Sequence, residues 1–87
     1  MKTFYACFYI SGKDKSFNSY GVVRFNVQDR ECATARLFSG KVDGLSEKVR
    51  GVCKQEISEI RLGVFAYESE DEIQRLNYAF LGMFDLN

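Results

Sequence analysis

The sequence contains no histidine, proline or tryptophan, and its 12 Lys and Arg are matched by 12 Asp and Glu. Without histidine there is no Ser-His-Asp triad, no Cys-His pair and no imidazole ligand for a metal. A formal net charge of zero argues against a protein that coats nucleic acid through bulk electrostatics. These absences remove the commonest catalytic and metal sites, and we expect no bound metal and no cofactor.

The three cysteines, Cys7, Cys32 and Cys53, are odd in number and widely spaced. Their spacing fits no metal or redox motif, and no secretory signal accompanies them, so we expect reduced thiols in a cytoplasmic protein. The apolar stretch at residues 4–10 is much shorter than the roughly 18 residues that a membrane span requires. We therefore expect no association with a membrane.

The sequence has two glycine-lysine pairs, Gly12-Lys13 and Gly40-Lys41, and such a pair is one part of the phosphate-binding P-loop. The loop needs a glycine five residues before the second glycine and a Ser or Thr after the lysine, and both pairs lack these. The acidic run 68–72 contains carboxylates that suit a hard cation, but acids are also favoured where a helix begins. The sequence thus predicts a protein that is not an enzyme.

A chain of 87 residues predicts a single globular domain, residues 1–87. Residues 3–10 and 20–27 are rich in aromatic and β-branched side chains, and turn-forming residues separate them, which predicts a β-hairpin. Residues 28–39 are ambiguous between strand and helix. Because their side chains alternate better than they form a helical stripe, we favour a third strand.

The second half of the chain predicts two helices and a strand. A stripe of apolar residues favours a helix over 44–57 with Asp43 as N-cap, and alternation favours a strand over 59–67. Ser69 and the glutamate three residues later form a capping box, which predicts a final helix over 70–84. The apolar arc of this last helix is wider than one core contact requires, so we expect it to touch a second surface, either the N-terminal strand edge or a dimer partner.

The resulting order is β-β-(β)-α-β-α. It predicts an α+β fold: a two-layer sandwich with a mixed three- to four-stranded sheet and two helices on one face. A helix between the last two strands favours a parallel, right-handed crossover between them.

Strand alternation assigns the side chains to two faces of this sheet. The face expected beneath the helices is entirely apolar, and the opposite face is rich in tyrosine and arginine. The apolar set comprises Phe4, Ala6, Phe8, Ile10, Val23, Phe25, Val27, Ile60, Leu62, Val64 and Ala66. The opposite set comprises Tyr5, Cys7, Tyr9, Tyr20, Val22, Arg24, Asn26, Arg61, Phe65 and Tyr67.

The second face has three interpretations. The tyrosines pack on each other on a solvated sheet, bind a protein partner, or stack against nucleotide bases. We favour a non-enzymatic interaction or regulatory module, an inhibitor or a homodimer, that binds a protein through an exposed face. The expected partner-binding residues are Tyr5, Tyr9, Tyr20, Arg24, Arg61 and Tyr67.

The alternative is a single-stranded nucleic-acid-binding protein that uses the same face. Residues 18–25 resemble the aromatic strand motif of RNA-recognition-motif domains, with matches at Tyr20, Gly21, Val23 and Phe25. This resemblance implies that a tyrosine-bearing strand serves as a platform for stacked bases. The expected phosphate contacts are Lys13, Lys15 and Lys41, together with Arg24.

The neutral total conceals an uneven distribution of charge. Residues 1–54 carry ten basic and five acidic side chains, whereas residues 55–87 carry two basic and seven acidic ones. If the fold keeps the two parts apart, the molecule is a dipole that orients a partner or a second copy of itself. A local basic patch therefore remains compatible with the composition.

Overall fold

A computed structural model describes residues 1–13, 17–40, 45–53, 56–73 and 79–86. Within these ranges the chain forms four strands, two α-helices and one turn of 3-10 helix. In chain order the elements are β1 (Lys2–Ser11), β2 (Phe17–Val27), α1 (Arg30–Ser39), α2 (Leu45–Val52), β3 (Glu59–Leu62), the 3-10 helix (Glu70–Glu72) and β4 (Ala79–Asp85).

The four strands form one mixed sheet in the order β3-β1-β2-β4. The predicted hairpin of β1 and β2 is confirmed, and it forms the centre of the sheet with antiparallel pairing from Lys2 opposite Val27 to Ser11 opposite Phe17. Strand β3 is antiparallel to β1, and β4 is parallel to β2. With its two helices the protein has the predicted α+β fold.

Both helices contribute to a core on one face of the sheet. Helix α1 buries Ala33 and Leu37, and α2 buries Leu45 and Val49. Their spacing of four residues puts each pair on one side of its helix. The buried strand residues in this core are Phe4, Ala6, Phe8, Ile10, Val23 and Phe25, all members of the predicted apolar face.

The strand predicted over residues 28–39 is wrong, because this segment forms helix α1. The carboxylate of Asp29 accepts a hydrogen bond from the backbone N–H of Cys32 at 2.9 Å, which caps the first turn. At the other end Gly40 adopts φ +68°, and its N–H donates to the carbonyl of Leu37. The two capping residues thus satisfy backbone groups at the ends of the helix, where hydrogen bonds within the helix are missing.

The final helix predicted over residues 70–84 is also wrong. The capping box of Ser69 and Glu72 is present, but it supports a single 3-10 turn, and residues 79–85 form β4. Gly82 lies at a shift in the pairing of β2 with β4 and has φ +126°, a backbone conformation that favours glycine. The members of the wide apolar arc within residues 79–84 instead lie in a strand with apolar side chains on both faces, since Phe84 contacts the ring of Phe8 and Phe80 contacts that of Tyr20.

Two further element ends differ from expectation. Helix α2 ends at Val52, and the strand predicted over 59–67 ends at Leu62. Gly63 still donates to the carbonyl of Cys7 at 2.7 Å, but residues 64–66 leave the ladder before Tyr67 bridges to β1, and Val64 is 48% exposed and does not join the apolar face. The expected parallel pair is wrong too, because the parallel neighbours are β2 and β4. The proposed N-cap, Asp43, lies outside the described residues.

Basic residues of the two helices bind the acidic C-terminal part of the chain. Arg30 donates to the carbonyl of Ala66 at 2.6 Å, and its guanidinium lies 3.3 Å from the carboxylate of Glu68. Arg36 and Lys48 donate to the carbonyls of Leu86 and Asp85. Of these contacts, Arg30 with Glu68 joins opposite charges from the two parts of the sequence, and the others bind backbone carbonyls.

Candidate functional site

The side chains on the sheet face opposite the helices, here called the aromatic face, lie in rows that cross the strands. One row places Tyr9 of β1 between Tyr20 of β2 and Arg61 of β3. A second row places Tyr5 between Arg24 of β2 and Tyr67. Because directly opposed residues project on the same side of a sheet, the pairing brings all six predicted partner-binding residues onto one face. The six are Tyr5, Tyr9, Tyr20, Arg24, Arg61 and Tyr67.

The six residues differ in their exposure. Tyr5, Tyr9 and Tyr67 are half-buried, and Arg24 and Arg61 are exposed. Tyr20, in contrast, is only 5% exposed. The expectation that Tyr20 is exposed is therefore wrong, and its ring is part of the floor of the face.

Tyr20 is covered by residues of the C-terminal part of the chain. Its ring packs against that of Phe80, with 5.1 Å between the ring centroids. Glu70, Asp71 and Ile73 line a hollow of about 140 Å³ together with Tyr20 and Phe80. The acidic segment 68–72, here called the acidic turn, therefore covers one part of the aromatic face, which the two-layer prediction had left without intramolecular cover.

The two arginines of the face form ion pairs with neighbouring acids. Arg24 holds Asp85 through two hydrogen bonds, Nε to Oδ1 at 2.7 Å and Nη2 to Oδ2 at 3.1 Å. The hydrogen bond from Arg24 and its positive charge hold the pKa of Asp85 below its ordinary value. Arg61 lies 3.4 Å from the carboxylate of Glu59. Both guanidinium groups are thus partly neutralised in place.

The edge of the face next to β3 carries a further aromatic pair. The ring of Phe65 lies 5.0 Å from that of Tyr67, and Phe65 is largely exposed. Alternation predicted Phe65 on the aromatic face, but Phe65 also lines a hollow with Arg30, Thr34 and Phe38 of α1, so it lies at the edge between the two faces.

Cys7 and Cys32 lie in surroundings that disfavour their thiolates. Burial raises the pKa of Cys7, and a hydrogen bond with the carboxylate of Asp29 raises the pKa of Cys32. A raised pKa disfavours the thiolate, which is the reactive form. Within the described ranges, no group of three Cys, Asp or Glu side chains is placed to hold a metal ion.

The predicted phosphate contacts do not assemble into a described cluster. Lys13 is exposed just beyond the end of β1. Lys15 and Lys41 lie outside the described residues. Of the predicted cationic contacts, Arg24 is the one whose position on the aromatic face is defined, and it is bound to Asp85.

Sequence reasoning missed Phe80 and the acidic turn as parts of this face. Both were assigned to a C-terminal helix, so they had no place on the sheet. Residues 79–85 contain one glycine among residues that favour strands, which suits a strand with a bulge better than a helix interior. This signal could have placed Phe80 on the sheet.

Comparison with known proteins gives no relative on which to build. No family model, curated protein or solved structure matches the chain. No helix in the described part of the chain is long and apolar enough to cross a membrane.

Proposed function

We propose that this protein is a small, non-enzymatic interaction module of the cytoplasm that binds a protein partner through the aromatic face. The observation that carries the proposal is the set of three half-buried tyrosines, Tyr5, Tyr9 and Tyr67, held in register on the sheet face opposite both helices. The partner is either a target that the module regulates or inhibits, or a second copy of the chain.

The chemistry of these side chains suits a protein interface. A tyrosine ring has an apolar body, which gains free energy when a partner buries it, and a hydroxyl that tolerates water before binding. Tyrosine and arginine are enriched among residues that dominate binding energy. The sheet holds the rings in fixed positions, so little conformational entropy is lost when a partner binds.

The charges of the face favour a protein over a nucleic acid. Arg24 and Arg61 already lie beside Asp85 and Glu59. The acidic turn adds negative charge next to Tyr20 and Phe80, where it would repel a phosphate backbone. Three free thiols agree with a reducing compartment such as the cytoplasm.

The test compares a variant of the aromatic face with a matched aromatic variant elsewhere. Tyr5→Ser combined with Tyr9→Ser removes two rings of the face, and Phe38→Ser removes a ring that is 68% exposed on helix α1. Circular dichroism first establishes that all three proteins are folded. Light scattering and parallel affinity capture then compare the molar mass and the bound proteins.

We expect the tyrosine variant to lose a dimer or a captured protein that wild type and Phe38→Ser both retain. The interaction should change little between about 50 and 200 mM salt, whereas binding through several phosphates would weaken by orders of magnitude over that range. A steep salt dependence would therefore indicate nucleic acid. If the tyrosine variant keeps its mass and every partner, the aromatic face is not the binding surface.

A further inference from the structure

The hollow between the acidic turn and the sheet combines aromatic rings with carboxylate-bearing residues. Its volume is about 140 Å³, which is room for the end of one side chain. Among the described residues, the hollow is lined by Tyr20, Val22 and Phe80 from the sheet, and by Glu70, Asp71 and Ile73 from the turn and the residue that follows it.

The four acids near the turn do not serve the same purpose. Glu68 pairs with Arg30 at 3.3 Å, and the carboxylate of Glu72 accepts hydrogen bonds from the backbone N–H groups of Glu68 and Ser69. Glu70 and Asp71 have no ion pair with any described residue, and these two line the hollow. Capping and internal pairing thus account for two of the acids and leave the two beside the aromatic rings.

The aromatic part of the hollow is partly open to solvent. Phe80 is 51% exposed although its ring packs against that of Tyr20, with the two planes inclined at 48°. The face of an aromatic ring attracts a cation within about 6 Å, and the attraction grows when the cation leaves water. A partly exposed ring and two acidic residues that line one hollow form a site complementary to a positively charged group.

We propose that this hollow binds an arginine side chain of a protein partner. A guanidinium group stacks flat on an aromatic ring while its N–H groups donate to carboxylates, a combination that the smaller and more strongly hydrated lysine ammonium makes less well. The inference rests on the proposed function, because it assigns to the same face the chemistry of one residue that a partner must supply.

The test is a titration of the isotopically labelled protein with N-acetylarginine amide, followed through its backbone amide signals. N-acetylcitrulline amide, which has the same shape without the charge, is the matched probe. We expect saturable shifts at Asp71, Ile73 and Phe80 with the arginine probe, and binding about tenfold weaker with the citrulline probe.

Two variants link the binding to the acids of the hollow. Glu70→Gln combined with Asp71→Asn should weaken binding of the arginine probe about tenfold, because it removes both charge-assisted partners. Glu47→Gln removes an exposed acid on α2 and should leave the affinity unchanged. Equal binding of the two probes, or unchanged binding by the double variant, would overturn the proposal.

Failure of the arginine site and failure of the proposed function give different results. If the arginine probe does not bind while Tyr5→Ser with Tyr9→Ser still abolishes partner binding, the hollow is not an arginine site and the proposed function stands. If the probe binds at the hollow while the tyrosine variant keeps every partner, the arginine site stands and the wider face does not.

Discussion

Phe8 and Tyr9 are consecutive residues of β1, yet they lie in different environments. Phe8 points toward the helices, is fully buried and contacts the ring of Phe84. Tyr9 points the other way, remains half-buried and has Tyr20 and Arg61 as its cross-strand neighbours. Both side chains are large and aromatic, so the difference comes from what covers each face.

The comparison shows that alternation identifies two faces but does not say how each is used. On the sheet face that carries Phe8 and lies beneath α1 and α2, here called the helical face, the two helices complete a core. Burial of apolar area there stabilises the fold. On the aromatic face, cover comes from neighbouring rings and from the acidic turn, and it is incomplete. An incompletely covered face of amphipathic rings is the one available for binding.

The sharpest test of this difference is truncation of the two neighbours. Phe8→Ala removes a fully buried ring and should lower the free energy of unfolding by about 3–5 kcal/mol. Tyr9→Ala removes cross-strand contacts on a partly solvated face and should cost about 1 kcal/mol or less. Denaturant unfolding of both variants measures the two values.

Phe8→Leu provides a milder change if the alanine variant does not fold. Its cost should still exceed that of Tyr9→Ala, since the leucine leaves space in a closed core. Equal costs for Phe8 and Tyr9 variants would mean that the aromatic face is as well covered as the helical one. The proposed function would then lose its physical basis.

Gly21 tests how tightly the helical face is packed. It lies opposite Phe8 in the hairpin, and a Cβ at this position would lie 2.3 Å from Cζ of the Phe8 ring. Gly21→Ala should therefore destabilise the protein by about 1–3 kcal/mol. In the Phe8→Leu background the same substitution should cost less, because the atom that it meets is gone. Denaturant unfolding of the four proteins measures this coupling, and strictly additive effects would show that the ring moves aside freely.

The hairpin and its two faces could be predicted because aromatic and β-branched residues alternate over long strands. Helix α1 could not be predicted from its side chains, whose apolar stripe is narrow, with Ala33 and Leu37 its two buried members. The information lay at its ends, in Asp29 and Gly40, where backbone groups need capping. Weighting the caps above the stripe would have found this helix.

The C-terminal segment misled for the opposite reason. The capping box at Ser69 is real, but a cap satisfies only the first turn and does not determine how far a helix continues. Strand β4 pairs with β2, some sixty residues earlier in the chain, and local sequence carries little information about such a partner. The hollow was hidden for the same reason, since it exists only where Phe80 and the acidic turn meet Tyr20.

The smallest expected effect concerns the ion pair at the edge of the aromatic face. Hydrogen bonds from Arg24, then its charge and that of Lys48, lower the pKa of Asp85 in the folded protein. A carboxylate with a lowered folded pKa stabilises the fold above its unfolded pKa of about 3.9, and this contribution is lost as pH falls through the folded pKa. The stability difference between wild type and Asp85→Asn should therefore be largest near neutral pH and shrink below about pH 4.

Because both side chains of the pair are exposed, the difference at neutral pH should be small and should weaken further in salt. Arg24→Gln supplies the control, since in its background Asp85→Asn should have a much smaller pH-dependent effect. Phe8→Ala should not alter that pH dependence, because the buried ring carries no titrating group. If the stability difference between wild type and Asp85→Asn did not depend on pH, Asp85 would act through packing of β4 against β2 and not through its charge. The edge of the aromatic face would then be held by packing, as the core is.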